Sequence, residues 1–302
     1  MLIAGIRRAA AISAVCSVVL FLGACGGGDE SAPGNDKAAG RAHVDAMTRE
    51  HANDSTEASA GALISPAREV ISEDMPYGEV GDELVYGYFV APADMFEPLP
   101  AVIMIHEWWG LNDNIRATAD RLAAEGYIVL AVDLFGGKVA TNPAEARQFM
   151  LSVVEDPESA NANIRSAYEF LSNTAGAPRV GSIGWCFGGA WSLNAALLFP
   201  DSMAATVIYY GQVTDDEEKL RPVNSPILGL FAADDKGIRV GTVRNFEGAL
   251  SRLRKDYEIH VYPNVGHAFA NPTGRNYDEL AATDAWRRTL DFLDRHLSKG
   301  ES

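Results

Sequence analysis

Positive charge is scarce in this 302-residue chain, which carries 25 Lys and Arg against 41 Asp and Glu, a formal net charge of −16. No Lys- and Arg-rich run offsets this acidic field locally, so we expect no nucleic acid among its partners. The 28 Gly and 14 Pro are scattered, which excludes collagen. Apolar residues come in short strand-like and helix-like runs, which excludes a coiled coil and disorder along the whole chain.

The N-terminal apolar run, Ala9 to Phe21, is too short to cross a bilayer, which takes about 20 residues. It follows Arg7 and Arg8, as the core of a signal peptide does. The next residues, Leu22-Gly23-Ala24-Cys25, resemble a bacterial lipobox, in which the chain is cut before a cysteine that is then lipidated. We expect residues 1–24 to be a lipoprotein signal peptide, exported by the general or the twin-arginine route. An ordinary secretory signal is the alternative.

Aromatic residues are absent from Gly26 to Pro66, a stretch rich in Gly, Ala, Ser, Asp and Glu. Such a composition buries too little surface to offset its ordering entropy, so 25–66 is predicted to be a lipidated cysteine followed by a flexible tether. The lipid would be the only membrane contact of a monomer in the bacterial cell envelope, at the outer membrane or the periplasmic face. His43 and His51 are interpreted as solvated residues of the tether, and we expect no metal and no cofactor.

Cysteine is also scarce, with three in the chain. Cys16 would leave with the signal peptide and Cys25 would carry lipid, so the folded part keeps Cys186 alone and can form no internal disulfide. A lone thiol in an oxidising compartment is a chemical liability. It therefore requires either deep burial or a chemical role.

The chain from Val85 onward alternates strand-like and helix-like runs. The predicted strands are Val85–Val90, Ala101–His106, Ile128–Asp133, Val180–Trp185, Ala205–Tyr210, Ile227–Ala232 and Tyr257–Tyr262. The predicted helices are Asn114–Glu125, Ala144–Val154, Glu158–Thr174, Phe187–Phe199, Val240–Lys255 and Asp278–His296. This alternation indicates an α/β fold, a mostly parallel, doubly wound sheet flanked by helices on both faces. Functional residues of such sheets gather at the carboxyl ends of the strands.

The strongest motif is Gly184-Trp185-Cys186-Phe187-Gly188-Gly189, between a predicted strand and a predicted helix. It matches a nucleophile elbow, whose sharp turn presents the central side chain above the sheet and leaves room only for glycine on either side. The start of the helix stabilises a thiolate, and the Phe187 N–H can point at an oxyanion. A buried structural cysteine would not explain this order of strand, glycines and helix.

A base and its carboxylate partner follow in the chain order of α/β-hydrolases. His267 lies in Asn264-Val265-Gly266-His267-Ala268-Phe269, after the last predicted strand. Asp234 and Asp235 follow the preceding strand. Asp235, farther into the loop, is the preferred partner, and Asp234 is the competitor.

These motifs, with Ile105-His106-Glu107-Trp108-Trp109-Gly110 and Asp133-Leu134-Phe135, resemble the dienelactone hydrolase family of α/β-hydrolases. The resemblance runs from about Val70 to Leu297 and implies an α/β-hydrolase domain over 67–299. The most specific feature of this resemblance is the cysteine in the elbow, since most α/β-hydrolases have a serine there. The resemblance also implies that Glu107 interacts with the resting thiol and helps to deprotonate it.

The implied function is a carboxylic-ester hydrolase that cleaves small-molecule esters or lactones through an acyl-enzyme. Cys186 would be the nucleophile, His267 the base and Asp235 its orienting carboxylate, with the N–H groups of Phe187 and Trp108 as the oxyanion hole. A thiolate leaves a tetrahedral intermediate readily, so acidic leaving groups are favoured: enol lactones, aryl esters and thioesters, and not amides.

The substrate itself stays open at the level of sequence. Family members that act on dienelactone hold its carboxylate with arginines, one shortly after the catalytic histidine, where this chain has Ala270-Asn271. Arg147 or Arg275 could serve instead. The aromatic residues Trp108, Trp109, Trp185 and Phe269 suggest an aromatic cleft. A thioesterase or broad carboxylesterase on the same triad, and a non-catalytic lipoprotein binding module, are the alternatives.

Overall fold

The computed structural model describes residues 33–51, 54 and 66–298, so the predicted signal peptide and Cys25 lie outside it. The helices are α1 (Pro33–Glu50), α2 (Asp113–Ala124), α3 (Pro143–Glu155), α4 (Pro157–Glu169), α5 (Phe187–Leu198), α6 (Glu217–Leu220), α7 (Val240–Arg252) and α8 (Glu279–Leu297). A π-helical turn, Phe170–Thr174, extends α4. The strands are β1 (Val70–Val80), β2 (Glu83–Pro92), β3 (Ala101–Ile105), β4 (Ile128–Val132), β5 (Val180–Trp185), β6 (Met203–Tyr209), β7 (Ile227–Ala232) and β8 (Tyr257–Tyr262). None of the helices in these ranges combines the length and the apolar character needed to cross a membrane.

The eight strands form one sheet in the order β1-β2-β4-β3-β5-β6-β7-β8. Every pair from β4 to β8 is parallel, and only β1 and β2 run antiparallel to their neighbours. Apolar clusters cover both faces of the sheet. The predicted fold class is therefore confirmed.

The central strands β3, β4, β5 and β7 are buried at every position. A parallel strand covered by helices on both faces contacts no water, so its residues are apolar without alternation. This is why these strands stand out in the sequence as continuous apolar runs. The predicted ends at His106 and Asp133 are each one residue too long, because both residues have already turned into the loops of the site.

The β1–β2 hairpin shows why one strand was missed. β1 reads Val-Ile-Ser-Glu-Asp-Met-Pro-Tyr-Gly-Glu-Val, and only Met75 and Tyr77 in it are buried. An edge strand that faces water carries charge and loses the apolar pattern. The signal that could have found it is the two-residue turn Gly81-Asp82, in which Gly81 adopts φ 63°.

The prediction of a flexible tether over 25–66 is wrong for its central part, since Pro33–Glu50 form helix α1. Val44 and Met47 of α1 are fully buried, and Asp45 pairs with Arg147 of α3 at 2.7 Å. The polar composition of α1 provides too little apolar surface to fold alone. Docking on α3 supplies additional burial. A prediction from the composition of the segment alone does not include that burial.

Candidate active site

Four side chains singled out in the sequence follow the carboxyl ends of four parallel strands. Glu107 lies after β3, Cys186 after β5, Asp235 after β7 and His267 after β8. All four are at least nine-tenths buried. The parallel topology therefore brings them to one edge of the sheet.

The turn from β5 to α5 has the backbone of a nucleophile elbow. Cys186 adopts φ 53° and ψ −114°, a conformation that costs free energy in any residue with a side chain. A Cβ on Gly184 would overlap the carbonyl of Gly188, and a Cβ on Gly188 would overlap the carbonyl of Ile105. The two glycines thus allow α5 to start directly against the end of β3.

His267 and Asp235 form a buried pair. Nδ1 of His267 lies 2.6 Å from Oδ2 of Asp235, and the backbone N–H groups of Gly237 and Ile238 donate to Oδ1 at 2.8 and 2.7 Å. Asp234, the competing carboxylate, is exposed. The Nε2 atom of His267 is buried, has no hydrogen-bond partner in the described part of the chain, and lies within 4.8 Å of Cys186 Sγ.

The electrostatics around Cys186 favour a thiolate. Burial raises the pKa of the thiol, but the charge of His267 and the hydrogen bond and charge of His51 outweigh it and lower the pKa to about 6. Burial in turn lowers the pKa of His267, yet the Cys186 thiolate and Asp235 raise it well above its usual value. At neutral pH the site therefore holds a thiolate beside an imidazolium.

Glu107 is held at the edge of this group by two polar neighbours. Asn271 Nδ2 donates to Oε2 at 2.8 Å, and the Tyr210 hydroxyl lies 3.4 Å from Oε1. Burial, and then the negative charge of Cys186, raise the pKa of Glu107 to about 7. Glu107 can thus exist in either protonation state near neutral pH. Sequence reasoning missed both neighbours, although Tyr210 directly follows β6 at the functional edge.

The two residues predicted to form the oxyanion hole follow the neighbouring strands β3 and β5. Phe187 is the first residue of α5, so its N–H has no acceptor within the helix. Trp108 lies in the turn after β3, where the Gly110 N–H donates to the Glu107 carbonyl. His106 stabilises this turn from below: its Nδ1 lies 2.6 Å from that same carbonyl, and its Nε2 accepts from the Leu134 N–H.

The end of α1 covers the nucleophile. Met47 Sδ lies 3.4 Å from Cys186 Sγ, and His51 Nε2 lies 3.6 Å from it. Cys186 is 0% exposed. In this conformation a substrate would reach Sγ only after Met47 and His51 move.

His51 was interpreted as a solvated tether residue, and the structure contradicts this. Its ring is buried, stacks on Trp108 at 4.7 Å between centroids, and places Nδ1 2.7 Å from Oδ2 of Asp54. Burial lowers its pKa, but the bond to Asp54 and the thiolate of Cys186 raise it to about 9. The spacing His-x-x-Asp, which allows His51 to bind Asp54, was the sequence signal for an ordered histidine here. His43 is also largely covered, and burial lowers its pKa to about 4.

The arginines and the aromatic residues suggested as substrate contacts differ in exposure. Arg147 pairs with Asp45 of α1, and Arg275 is exposed. The aromatic residues Trp108, Trp109, Trp185 and Phe269 are all buried. Trp108 stacks on His51 within the site, whereas Trp185 lines a separate cavity together with Tyr277 and Trp286.

A cysteine on an elbow, a buried His–Asp pair and a parallel sheet define an α/β-hydrolase. The model of the dienelactone hydrolase family matches residues 85–297. The chain belongs to this family and is a hydrolase acting on ester bonds.

Several relatives agree with this assignment. A candidate carboxymethylenebutenolidase of Saccharolobus solfataricus is 34% identical over 67% of this chain and 91% of its own. A second, from Escherichia coli K12, is 31% identical over 70% and 83%. The crystal structure of a candidate dienelactone hydrolase from Klebsiella pneumoniae is 27% identical, covers 76% of this chain and 100% of its own, and superposes with a TM-score of 0.66.

Proposed function

We propose that this hydrolase cleaves activated esters or lactones by covalent catalysis, with Cys186 as nucleophile, His267 as base and then acid, and Asp235 as the carboxylate that orients His267. The observation that supports this most is the strained elbow, which holds the thiol sulfur within 4.8 Å of a ring nitrogen of His267, whose Nδ1 lies 2.6 Å from Asp235. The thiolate attacks the ester carbonyl, and the N–H groups of Phe187 and Trp108 stabilise the oxyanion. His267 protonates the leaving group and then activates water to hydrolyse the thioester.

The covered conformation is the resting state in this proposal. Met47 and His51 withdraw from Sγ when substrate enters, and α1 remains attached through the Asp45–Arg147 pair. The lowered pKa of the thiol favours substrates with acidic leaving groups, because a stabilised thiolate is itself a good leaving group.

The test is mass spectrometry of the full chain after rapid acid quench during turnover. An aryl ester, an enol lactone and an acyl thioester are compared as substrates. We expect an added acyl mass on the peptide that contains Cys186. The substrate that gives the fastest acylation separates an ester or lactone hydrolase from a thioesterase. Turnover with the acyl group on another residue, or no turnover of any of the three, contradicts the proposal.

Glu107→Gln should slow acylation by about 100-fold, since the carboxylate that can accept the proton of the Cys186 thiol is replaced by an amide of the same shape that cannot. The contact with Asn271 can persist, because glutamine retains one carbonyl oxygen. Pre-steady-state measurement of the acylation burst tests this. Glu83→Gln, at an exposed glutamate of β2, is the control. A burst in Glu107→Gln equal to that of the control would reduce Glu107 to a scaffold residue.

Attachment to a membrane through a lipid on Cys25 is also part of the proposed function, and the lipobox-like Leu22-Gly23-Ala24-Cys25 supports it. Cys25→Ala should move the protein from the membrane fraction to the soluble envelope fraction, because no other anchor is predicted. Cys16→Ala, within the signal peptide, is the matched control and should leave fractionation unchanged. Sedimentation of Cys25→Ala with membranes would disprove lipid attachment.

A further inference from the structure

Two histidines and a cysteine converge beneath α1. One ring nitrogen each of His51 and His267 and Sγ of Cys186 all lie within 4.8 Å of one another, and the three residues are buried. Imidazole nitrogen and thiolate sulfur are the ligands that zinc and copper ions prefer in proteins. The proposed hydrolysis uses only two of these three side chains.

The surroundings of both rings match those of metal-binding histidines. Nδ1 of His267 lies 2.6 Å from Asp235, and Nδ1 of His51 lies 2.7 Å from Asp54. A carboxylate on Nδ1 fixes the ring and leaves Nε2 as the ligand atom once the ion displaces its proton, the arrangement found behind most histidine ligands. Nε2 of His267 is moreover buried without a hydrogen-bond partner among the residues described.

Met47 supplies a fourth donor. Its Sδ lies 3.4 Å from Cys186 Sγ, on the side covered by α1. Two histidines, one cysteine and a weaker methionine form a donor set typical of copper, and the first three suit zinc equally. The three ligand atoms lie within 4.8 Å of one another, and His51 Nε2 lies 3.6 Å from Cys186 Sγ, so small side-chain movements bring them to the ligand spacing of a tetrahedral ion.

We propose that His51, Cys186 and His267 form a binding site for one thiophilic metal ion of the zinc or copper type, with Met47 as an auxiliary ligand. The ion would bind the nucleophile together with Met47 of α1 and His51, which directly follows α1. It would therefore keep Met47 and His51 over Sγ and inhibit ester hydrolysis reversibly. The site exists only because α1 docks, since His51 and Cys186 are far apart in the sequence.

The experiment titrates the purified full chain with Co²⁺ as a spectroscopic probe, followed by competition with Zn²⁺ and, under reducing conditions, with Cu⁺. We expect one ion per chain, a thiolate-to-cobalt charge-transfer band, and its displacement by the ion that binds more tightly. The band should vanish in Cys186→Ala. His51→Ala should weaken binding by about 100-fold, and Asp54→Asn, which keeps the ligands, by about 10-fold or more.

His260→Ala is the matched control, because His260 lies on β8 and its side chain is not one of the three converging ligands. It should bind the ion as the unaltered chain does. Equal affinity in His51→Ala and His260→Ala would overturn the proposal, since Cys186 and His267 would then suffice. Absence of the charge-transfer band would also overturn it. The band does not require turnover, so a chain that binds cobalt but cleaves no ester refutes the proposed function and leaves the metal site standing.

Discussion

Cys186→Ala should lower the rate of aryl ester hydrolysis by about 10⁴-fold or more, because the covalent step has no other thiol in the described part of the chain to carry it. Residual activity would come from the oxyanion hole and substrate binding alone. Alanine at φ 53° is as strained as cysteine and only one sulfur atom smaller, so the fold should persist. Initial rates and the thermal midpoint of unfolding, measured on the same preparation, separate chemistry from stability.

Cys186→Ser sharpens this test. The pKa of a serine hydroxyl lies far above that of a thiol, and the charges that bring the thiol to a pKa of about 6 cannot ionise the hydroxyl at neutral pH. We therefore expect the serine variant to be nearly as impaired as the alanine variant. Undiminished hydrolysis in Cys186→Ala, with the fold intact, would show that Cys186 is not the nucleophile.

Asp235→Asn should lower kcat/KM by about 10⁴-fold, the effect of presenting the base with the wrong hydrogen-bond partner. The carbonyl of asparagine can still accept from Gly237 and Ile238, so its NH₂ group would face Nδ1 of His267. His267 would then accept at Nδ1 and carry its proton on Nε2. It could no longer take the proton needed for catalysis.

Asp234→Asn is the matched control, since it makes the same substitution one residue earlier on an exposed side chain. Its effect should stay below about fivefold, because exposed charges contribute little. The pH dependence of kcat/KM measured for both variants tests the assignment. Similar losses in the two, or a larger loss in Asp234→Asn, would transfer the orienting role to Asp234.

The central strands and the elbow show which features the local sequence pattern predicts. β3, β4, β5 and β7 are buried on both faces, so burial alone dictates their composition, and the sequence places each within about one residue. The glycines around Cys186 are required by backbone contacts that any such elbow makes, so the motif predicts the turn. Chain order then locates His267 and the adjacent candidates Asp234 and Asp235.

The docking of α1 shows where local pattern fails. Nothing in the composition of Pro33–Glu50 indicates an ordered helix, because its burial depends on a surface built by α3 more than a hundred residues later. The same holds for His51, which lies on a polar segment yet packs against Trp108 and the nucleophile. The trace they leave is short: the buried residues Val44, Met47 and His51 follow at helical spacing within a polar segment.

The amino-acid order alone was sufficient for the fold class, the family and the choice of Cys186 and His267 as candidate site residues, because each depends on local backbone chemistry or on strand succession. Only the tertiary structure could decide that Asp235 rather than Asp234 meets His267, that Asn271 and Tyr210 hold Glu107, and that Met47 and His51 cover the thiol. The physical reason is the sequence distance between the residues that determine each feature. A turn or a buried strand is specified by its own residues, whereas a hydrogen bond between distant loops depends on how the helices and strands that carry those loops pack.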